Sequence, residues 1–173
     1  MLTKILRDYG FLALLSGLII ILDQWTKSIV RTQLEYGEIW APWDWMLPFI
    51  RVVHAQNSGA AFGLMQGMAV VFTILAVIVV GAILYYFPKV APGEHLMRLA
   101  LAMQLGGATG NLIDRLTQSG YVTDFISVGT FPVFNLADAS ISVGVALLIF
   151  TMWFKERGKR SSSSLSDPDS EEA

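Results

Sequence analysis

Four runs of apolar residues punctuate the chain, at about 11–31, 68–87, 96–116 and 137–154, with polar or turn-forming segments between them. Each run is close to the ~20 residues that a helix needs to cross a hydrocarbon core. Leu, Ile, Val and Ala dominate them, without the period-2 alternation of a membrane β-barrel. The pattern predicts an all-α integral membrane protein with four transmembrane helices. Lys4 and Arg7 precede the first run as they would a secretory signal. No small-x-small cleavage site follows, however, and the helical pattern continues through "DQWTKSIV", so a retained helix is expected. The connection "PKVAPGE" between the second and third runs reads as a tight turn. The second run has no ionisable residue before its closing tyrosines, and Tyr85, Tyr86 and Phe87 are expected in an interfacial aromatic belt.

Charge orients this frame. Only 15% of residues are charged, against about 25% in soluble domains. Lys4, Arg7, Lys89, Arg98, Lys155, Arg157, Lys159 and Arg160 fall on one side of the expected membrane, and Lys27, Arg31, Arg51 and Arg115 on the other. The positive-inside rule then puts both termini in the cytoplasm and the loops at about 32–67 and 117–136 outside. The segment 161–173 carries four acids and no base. It is expected to be a disordered polar tail beyond a single domain at 1–160. The chain has no cysteine, which excludes disulfides, a thiol nucleophile and Cys-ligated metals. His54 and His95 fall on opposite sides of the membrane, so no metal site and no cofactor is expected. Nothing suggests nucleic-acid binding.

The first outer loop packs Trp40, Trp43, Trp45 and Phe49 into a short span. Tryptophan suits the headgroup level, because its ring is apolar and its N–H needs a partner. The loop is therefore expected on the membrane surface. "FIRVVHA" alternates weakly and fits a short strand, giving a small β-like, amphipathic extracytoplasmic region. This region either anchors the loop or forms a shelf for an extended peptide. In the third run Gly106 and Gly110 form a small-xxx-small pair, and Ser140 and Gly144 repeat the spacing in the fourth. Such pairs let helices approach closely, which would bring together the outer ends of helices 3 and 4.

Those ends carry acids. Asp23, Asp114, Asp124 and Asp138 all fall toward the outer face, where ionisable residues are costly and mark functional sites by default. Each also has a structural reading. Asp23 can pair with Lys27 one turn on. Asp114 can form a helix-end ion pair with an arginine from elsewhere. Asn135 and Asp138, three residues apart, resemble a capping box. Asp124 in "YVTDF" has no adjacent base to explain it. Two carboxylates placed together share a proton, one activating water while the other polarises a carbonyl. No Gly-x-Ser-x-Gly nucleophile motif is present. Among hydrolytic mechanisms, paired aspartates fit best.

The segments "DQWTK" (23–27), "NSGAAFG" (57–63), "GGATGNLIDR" (106–115), "VTDF" (122–125) and "FPVFNLADASI" (131–141) together resemble the lipoprotein signal peptidase family, signal peptidase II. They stand in the family's order and cover nearly the whole chain except the tail. The resemblance implies an aspartic endopeptidase of the bacterial cytoplasmic membrane, with its site near the outer face. It would cut prolipoproteins on the N-terminal side of a diacylglyceryl-modified lipobox cysteine. The family pattern assigns the catalytic dyad to Asp124 and Asp138. Asn57, Asn111, Arg115 and Asn135 match polar positions around it, and Asp23 and Asp114 match further motif acids, as support or substrate contacts. Asp114 is the alternative dyad member. Asp138, in the first turn of a helix, is expected to be the more readily ionised partner. The sequence departs from the pattern in the short spacing between the dyad acids and in Thr123, where Val is common.

The expected partners are such prolipoproteins and membrane lipids, and a monomer suffices. The main rival is a proton-coupled small-molecule transporter using the same acids. It would need a path to both faces, and helix 2 offers no polar group. A non-enzymatic assembly factor would tolerate Asp→Asn changes at both dyad positions.

Overall fold

The computed structural model describes residues 2–59 and 67–164, with side chains over 9–59 and 67–157. Most of "NSGAAFG" and residues 165–173 of the expected tail therefore lie outside the described residues. Four long helices are present: α1 (Leu2–Gln33), α2 (Ala69–Tyr86), α3 (His95–Thr117) and α4 (Leu136–Ser164). Within these, Tyr9–Gln33, Ala69–Lys89 and Leu136–Arg157 are long and apolar enough to cross a membrane. The third helix is more polar and sits at the centre, packed against α1, α2 and α4. Its Arg98, Asn111 and Asp114 are buried, so its polar atoms meet protein while Leu, Ile and Val side chains of the other helices face outward.

Glycine placement explains how α3 fits between its neighbours. Successive helical residues are about 100° apart, so "GGATG" presents glycines to two partners. A Cβ at Gly106 would lie 2.8 Å from the Ile19 Cβ, and one at Gly110 would lie 2.6 Å from Asp23 Oδ2. That pair therefore receives chiefly α1, with a Cβ at Gly110 also 3.5 Å from Ala137 on α4. Gly107 receives α4, because a Cβ there would collide with the Ala137 carbonyl oxygen. From α4, Gly144 sits over the Ala100 carbonyl, and the Ser140 hydroxyl donates to the Met103 carbonyl at 2.8 Å. The expected close packing of helices 3 and 4 is present, with Gly107 as the residue on α3 that permits it.

Above the bundle lies a three-stranded antiparallel sheet, in the order β1 (Ile39–Trp40), β2 (Ile50–Asn57), β3 (Val122–Val128). "FIRVVHA" is thus a strand, and it is the middle one. A bulge between Val52 and Ala55 re-aims β2, after which Ala55 pairs with Asp124. His54 at this bulge is buried, with Nδ1 2.9 Å from the Leu34 carbonyl, and so ties the sheet to the end of α1. The free side of β3 is partly closed by Phe134, whose N–H donates to Ile126 at 3.0 Å. Trp40, Trp43 and Trp45 are exposed, and Trp43 stacks on Trp45. Tyr85 and Tyr86 are exposed as a belt requires. Phe87 is not part of it: it is fully buried against Leu12, Ile83, Ala102 and Leu105, under the Arg98 guanidinium. The chain turns inward there through a 3-10 turn over Phe87–Lys89.

Gly107→Val tests this packing. Forcing a branched side chain against the α4 backbone is expected to cost about 1–3 kcal/mol. Thermal unfolding in detergent should show a clearly lower Tm, and an unchanged Tm would contradict the observed α3–α4 contact.

Candidate active site

Asp124 and Asp138 reach the site from different elements. Asp124 sits mid-strand in β3, opposite Ala55. Sequence reading placed it in a loop; strand pairing is what aims it. Asp138 lies in the first turn of α4. The capping box around it is complete: Asn135 Oδ1 accepts from the Asp138 N–H at 2.9 Å, and the Asn135 N–H donates back to Asp138 Oδ2 at 3.3 Å. Both aspartates line one cavity of about 500 Å³, with Arg115, Phe72, Phe131 and Val143 among its other walls.

Asparagine amides hold both carboxylates. Asn135 Nδ2 donates to Asp124 Oδ1 at 2.7 Å, and Asn57 Nδ2 donates to Asp124 Oδ2 at 3.1 Å. Asn111 Nδ2 donates to Asp138 Oδ1 at 2.7 Å. Asn135 is therefore bonded to both acids, and it is wholly buried. These bonds fix rotamers, as a reactive pair requires. Asp124 is 3% exposed. Burial first, and then the neighbouring Asp138 carboxylate, push it up to about 7, against the opposing pull of the Asn57 and Asn135 hydrogen bonds. A carboxyl that keeps its proton to about pH 7 suits general acid–base chemistry near neutral pH.

Asp23 and Asp114 are not in this cavity. They form a buried ion cluster beneath it. Lys27 Nζ lies 2.9 Å from Asp23 Oδ2 and 3.3 Å from Asp114 Oδ2, with all three side chains fully buried. Each acid also holds backbone at the site. Asp23 Oδ1 accepts from the Ala137 N–H at 3.0 Å, anchoring the start of α4. Asp114 Oδ2 accepts from the Thr123 N–H at 2.9 Å, anchoring β3 beside Asp124. Asp114 also takes the expected distant arginine, Arg31, whose Nη1 is 3.4 Å away. Thr123 accounts for its own presence: its hydroxyl accepts from the same Nη1 at 3.0 Å. Arg115 lies on the cavity wall, its guanidinium over the Phe72 ring and its Nη1 3.5 Å from the Asn111 carbonyl oxygen.

The supporting residues that sequence reading left unassigned are Gln24, Arg31 and Thr123, and for Lys27 it foresaw Asp23 but not Asp114 or Asn111. Gln24 Nε2 bridges Asp23, the Gly110 carbonyl and Asp114 at 3.0–3.1 Å. The available signal was a lysine inside an apolar helix, a charge that demands partners from other helices. Among the described residues, no group of three or more His, Cys, Asp or Glu is placed to hold a metal ion.

Comparison with known proteins identifies the family. The family model described as signal peptidase (SPase) II matches residues 15–154. The chain belongs to the signal peptidase II family. A lipoprotein signal peptidase of Shouchella clausii is 40% identical over 151 residues, covering 84% of this chain and 95% of that protein. One from Geobacillus thermodenitrificans is 42% identical over 145 residues, covering 82% and 88%. Among solved structures, a bacterial membrane enzyme determined by the in meso method at 2.3 Å superposes with a TM-score of 0.76 at 31% identity, covering 95% of this chain and 94% of that one. A second, at 1.9 Å, gives 0.73 at 34% identity, covering 83% and 92%. As a signal peptidase II, the chain is an aspartic endopeptidase of a bacterial membrane that removes signal peptides from lipoproteins. The transporter reading gains no support.

The raised Asp124 has a consequence for stability. Between about pH 4 and about pH 7 the folded protein retains a proton that the unfolded chain has lost, so this group's contribution falls as pH rises through that window. Above it, the ionised form costs on the order of 4 kcal/mol. Asp124→Asn removes that cost. Its Tm in detergent should exceed wild type at pH 8 and converge on it near pH 4. A gain of equal size at both values would contradict the account.

Proposed function

We propose that Asp124 and Asp138 form the catalytic dyad that cleaves diacylglyceryl-modified prolipoproteins on the N-terminal side of the lipidated cysteine. The observation that carries this is their convergence on one cavity, with a single buried asparagine, Asn135, hydrogen-bonded to both. Asp138 acts as base. Its place in the first turn of α4 favours negative charge. It takes a proton from water as the oxygen attacks the scissile carbonyl carbon. Asp124, which holds the shared proton, donates it to the carbonyl oxygen. The tetrahedral intermediate then collapses: the C–N bond breaks, Asp138 gives its proton to the leaving cysteine amine, and Asp124 takes a proton back from a hydroxyl of the intermediate as the new carboxyl forms. Asn57, Asn111 and Asn135 hold the pair, while Asp23 and Asp114 fasten the elements that carry it. Arg115 lies on the wall where a substrate carbonyl or headgroup would pass.

In this reading α3 is a fourth span. Its polar side chains are tolerated because they are buried against α1, α4 and β3. The asymmetry of Lys and Arg puts both termini in the cytoplasm, and the exposed Trp40 of β1 with Trp43 and Trp45 of the loop after it rest on the outer leaflet. The enzyme then sits in the bacterial cytoplasmic membrane with its dyad near the outer face, where a signal helix ends and an acylated cysteine emerges. One domain, 1–160, does this as a monomer among membrane lipids, and 161–173 is a polar tail. The largely apolar cavity walls limit bulk water around the dyad.

Purified protein should cut a diacylglyceryl-modified prolipoprotein before the modified cysteine. Asp124→Asn and Asp138→Asn, each verified as folded, should lose at least a hundredfold in kcat/KM, the scale of acid–base catalysis. Near-full rate in either variant would remove that residue from the dyad and make Asp114 the next candidate.

A further inference from the structure

The orientation of the dyad's holding groups traces to a residue outside the cavity. Lys27 Nζ is 2.9 Å from Asn111 Oδ1, besides its contacts with Asp23 and Asp114. An ammonium has three donors and no acceptor. Asn111 must therefore turn its oxygen to Lys27, which leaves its Nδ2 facing Asp138 Oδ1 at 2.7 Å. The same Asn111 oxygen receives Asn135 Nδ2 at 3.1 Å, and that Nδ2 also serves Asp124 Oδ1 at 2.7 Å. With its Nδ2 so committed, Asn135 offers its oxygen to the Asp138 N–H at 2.9 Å. One buried cation thus sets the polarity of the Asn111 amide that binds Asp138, while the Asp138 backbone N–H fixes that of Asn135.

We propose that Lys27 is a positioning residue of the catalytic site, acting through the Asn111 amide so that its N–H and not its carbonyl oxygen faces the Asp138 carboxylate. The inference rests on the dyad assignment above. Without the cation, the Asn111 oxygen keeps only the bond from Asn135 Nδ2, a donor it shares with Asp124 and the Thr123 carbonyl, and the amide can turn over. Its oxygen would then face Asp138, and only a protonated carboxyl can hydrogen-bond to an amide oxygen. The dyad would hold its second proton to higher pH, and the base would be lost from the working range. The charged groups around the pair are Lys27, Arg31 and Asp23 from α1 and Arg115 and Asp114 from α3. At the cavity, α2 contributes Phe72 and β2 contributes Asn57, neither of which titrates.

The test is the pH profile of kcat/KM on a diacylglyceryl-modified prolipoprotein for wild type, Lys27→Met, Asn111→Leu and the double variant. Asn111→Leu is close in volume and leaves the Lys27 ion pairs with Asp23 and Asp114 in place. Each single variant should move the acid limb up by roughly one pH unit and lower the rate about ten- to a hundredfold. The double variant should move the limb no further than Asn111→Leu alone, because both changes cut one path. A limb that stays in place while the rate falls would overturn the proposal, as would a double variant whose shift is the sum of the two. If Lys27→Met does not fold, Lys27→Met combined with Asp23→Asn and Asp114→Asn, which leaves no carboxylate stranded in the cluster, takes its place: a raised limb upholds the proposal and an unmoved one overturns it. Asp124→Asn and Asp138→Asn in the same assay separate the two failures. If both are inactive and the limbs are unmoved, only the role of Lys27 falls. If either is active, the dyad itself falls.

Discussion

The fold turns on one buried ammonium. Lys27 is fully buried within a helix long and apolar enough to cross a membrane, so its charge must be matched inside the protein. Asp23 and Asp114 match it, and each has a second commitment. Asp23 holds the first turn of α4 through the Ala137 N–H, and Asp114 holds β3 through the Thr123 N–H. Four elements are thereby tied to a single charge. Breaking such a cluster at one member strands a buried charge, typically at a cost of about 3–5 kcal/mol, so its members are interdependent.

That cluster works only because the helices are close enough. In lipid no hydrophobic force draws apolar helices together, and small residues at the contact allow van der Waals packing and interhelical hydrogen bonds instead. Gly110 makes room for the Asp23 carboxylate itself, and Gly107 lets the α4 backbone against α3. The charges supply the tie and the glycines supply the proximity. The result is a rigid floor under Asp124 and Asp138, whose carboxylates then need only the asparagine amides to be held. The cavity above them stays mostly apolar, which raises the Asp124 affinity for a proton to the range useful at neutral pH.

Much of this was legible in the chain. The long helices follow from apolar length, and the strand at "FIRVVHA" from its alternation. The Asn135–Asp138 capping box was visible from spacing, and it is present. The pairing of Asp23 with Lys27 follows from one helical turn and is present at 2.9 Å. Other features were not legible. β3 escaped notice because "VTDFISV" is buried along most of its length and so lacks the alternation that marks a half-exposed strand. Phe87 read as a belt residue beside two tyrosines, but a 3-10 turn points it into the core. The pair Gly106 and Gly110 read as a seat for α4 but chiefly receives α1, since a small-residue stripe says that a helix approaches but not which one.

By itself, then, the sequence determined the long helices, the acids and the family, because apolar length, capping spacing and ordered motifs are local properties. Tertiary structure alone decided which acids share a cavity and which serve as ties. Asp114 and Asp124 stand ten positions apart on adjoining elements and carry the same side chain. One accepts from a buried lysine and a backbone N–H, and the other faces the cavity between two asparagines. The difference is set by what α1, α4 and β2 bring to each from far along the chain, and long-range packing of that kind leaves no periodic trace in a sequence.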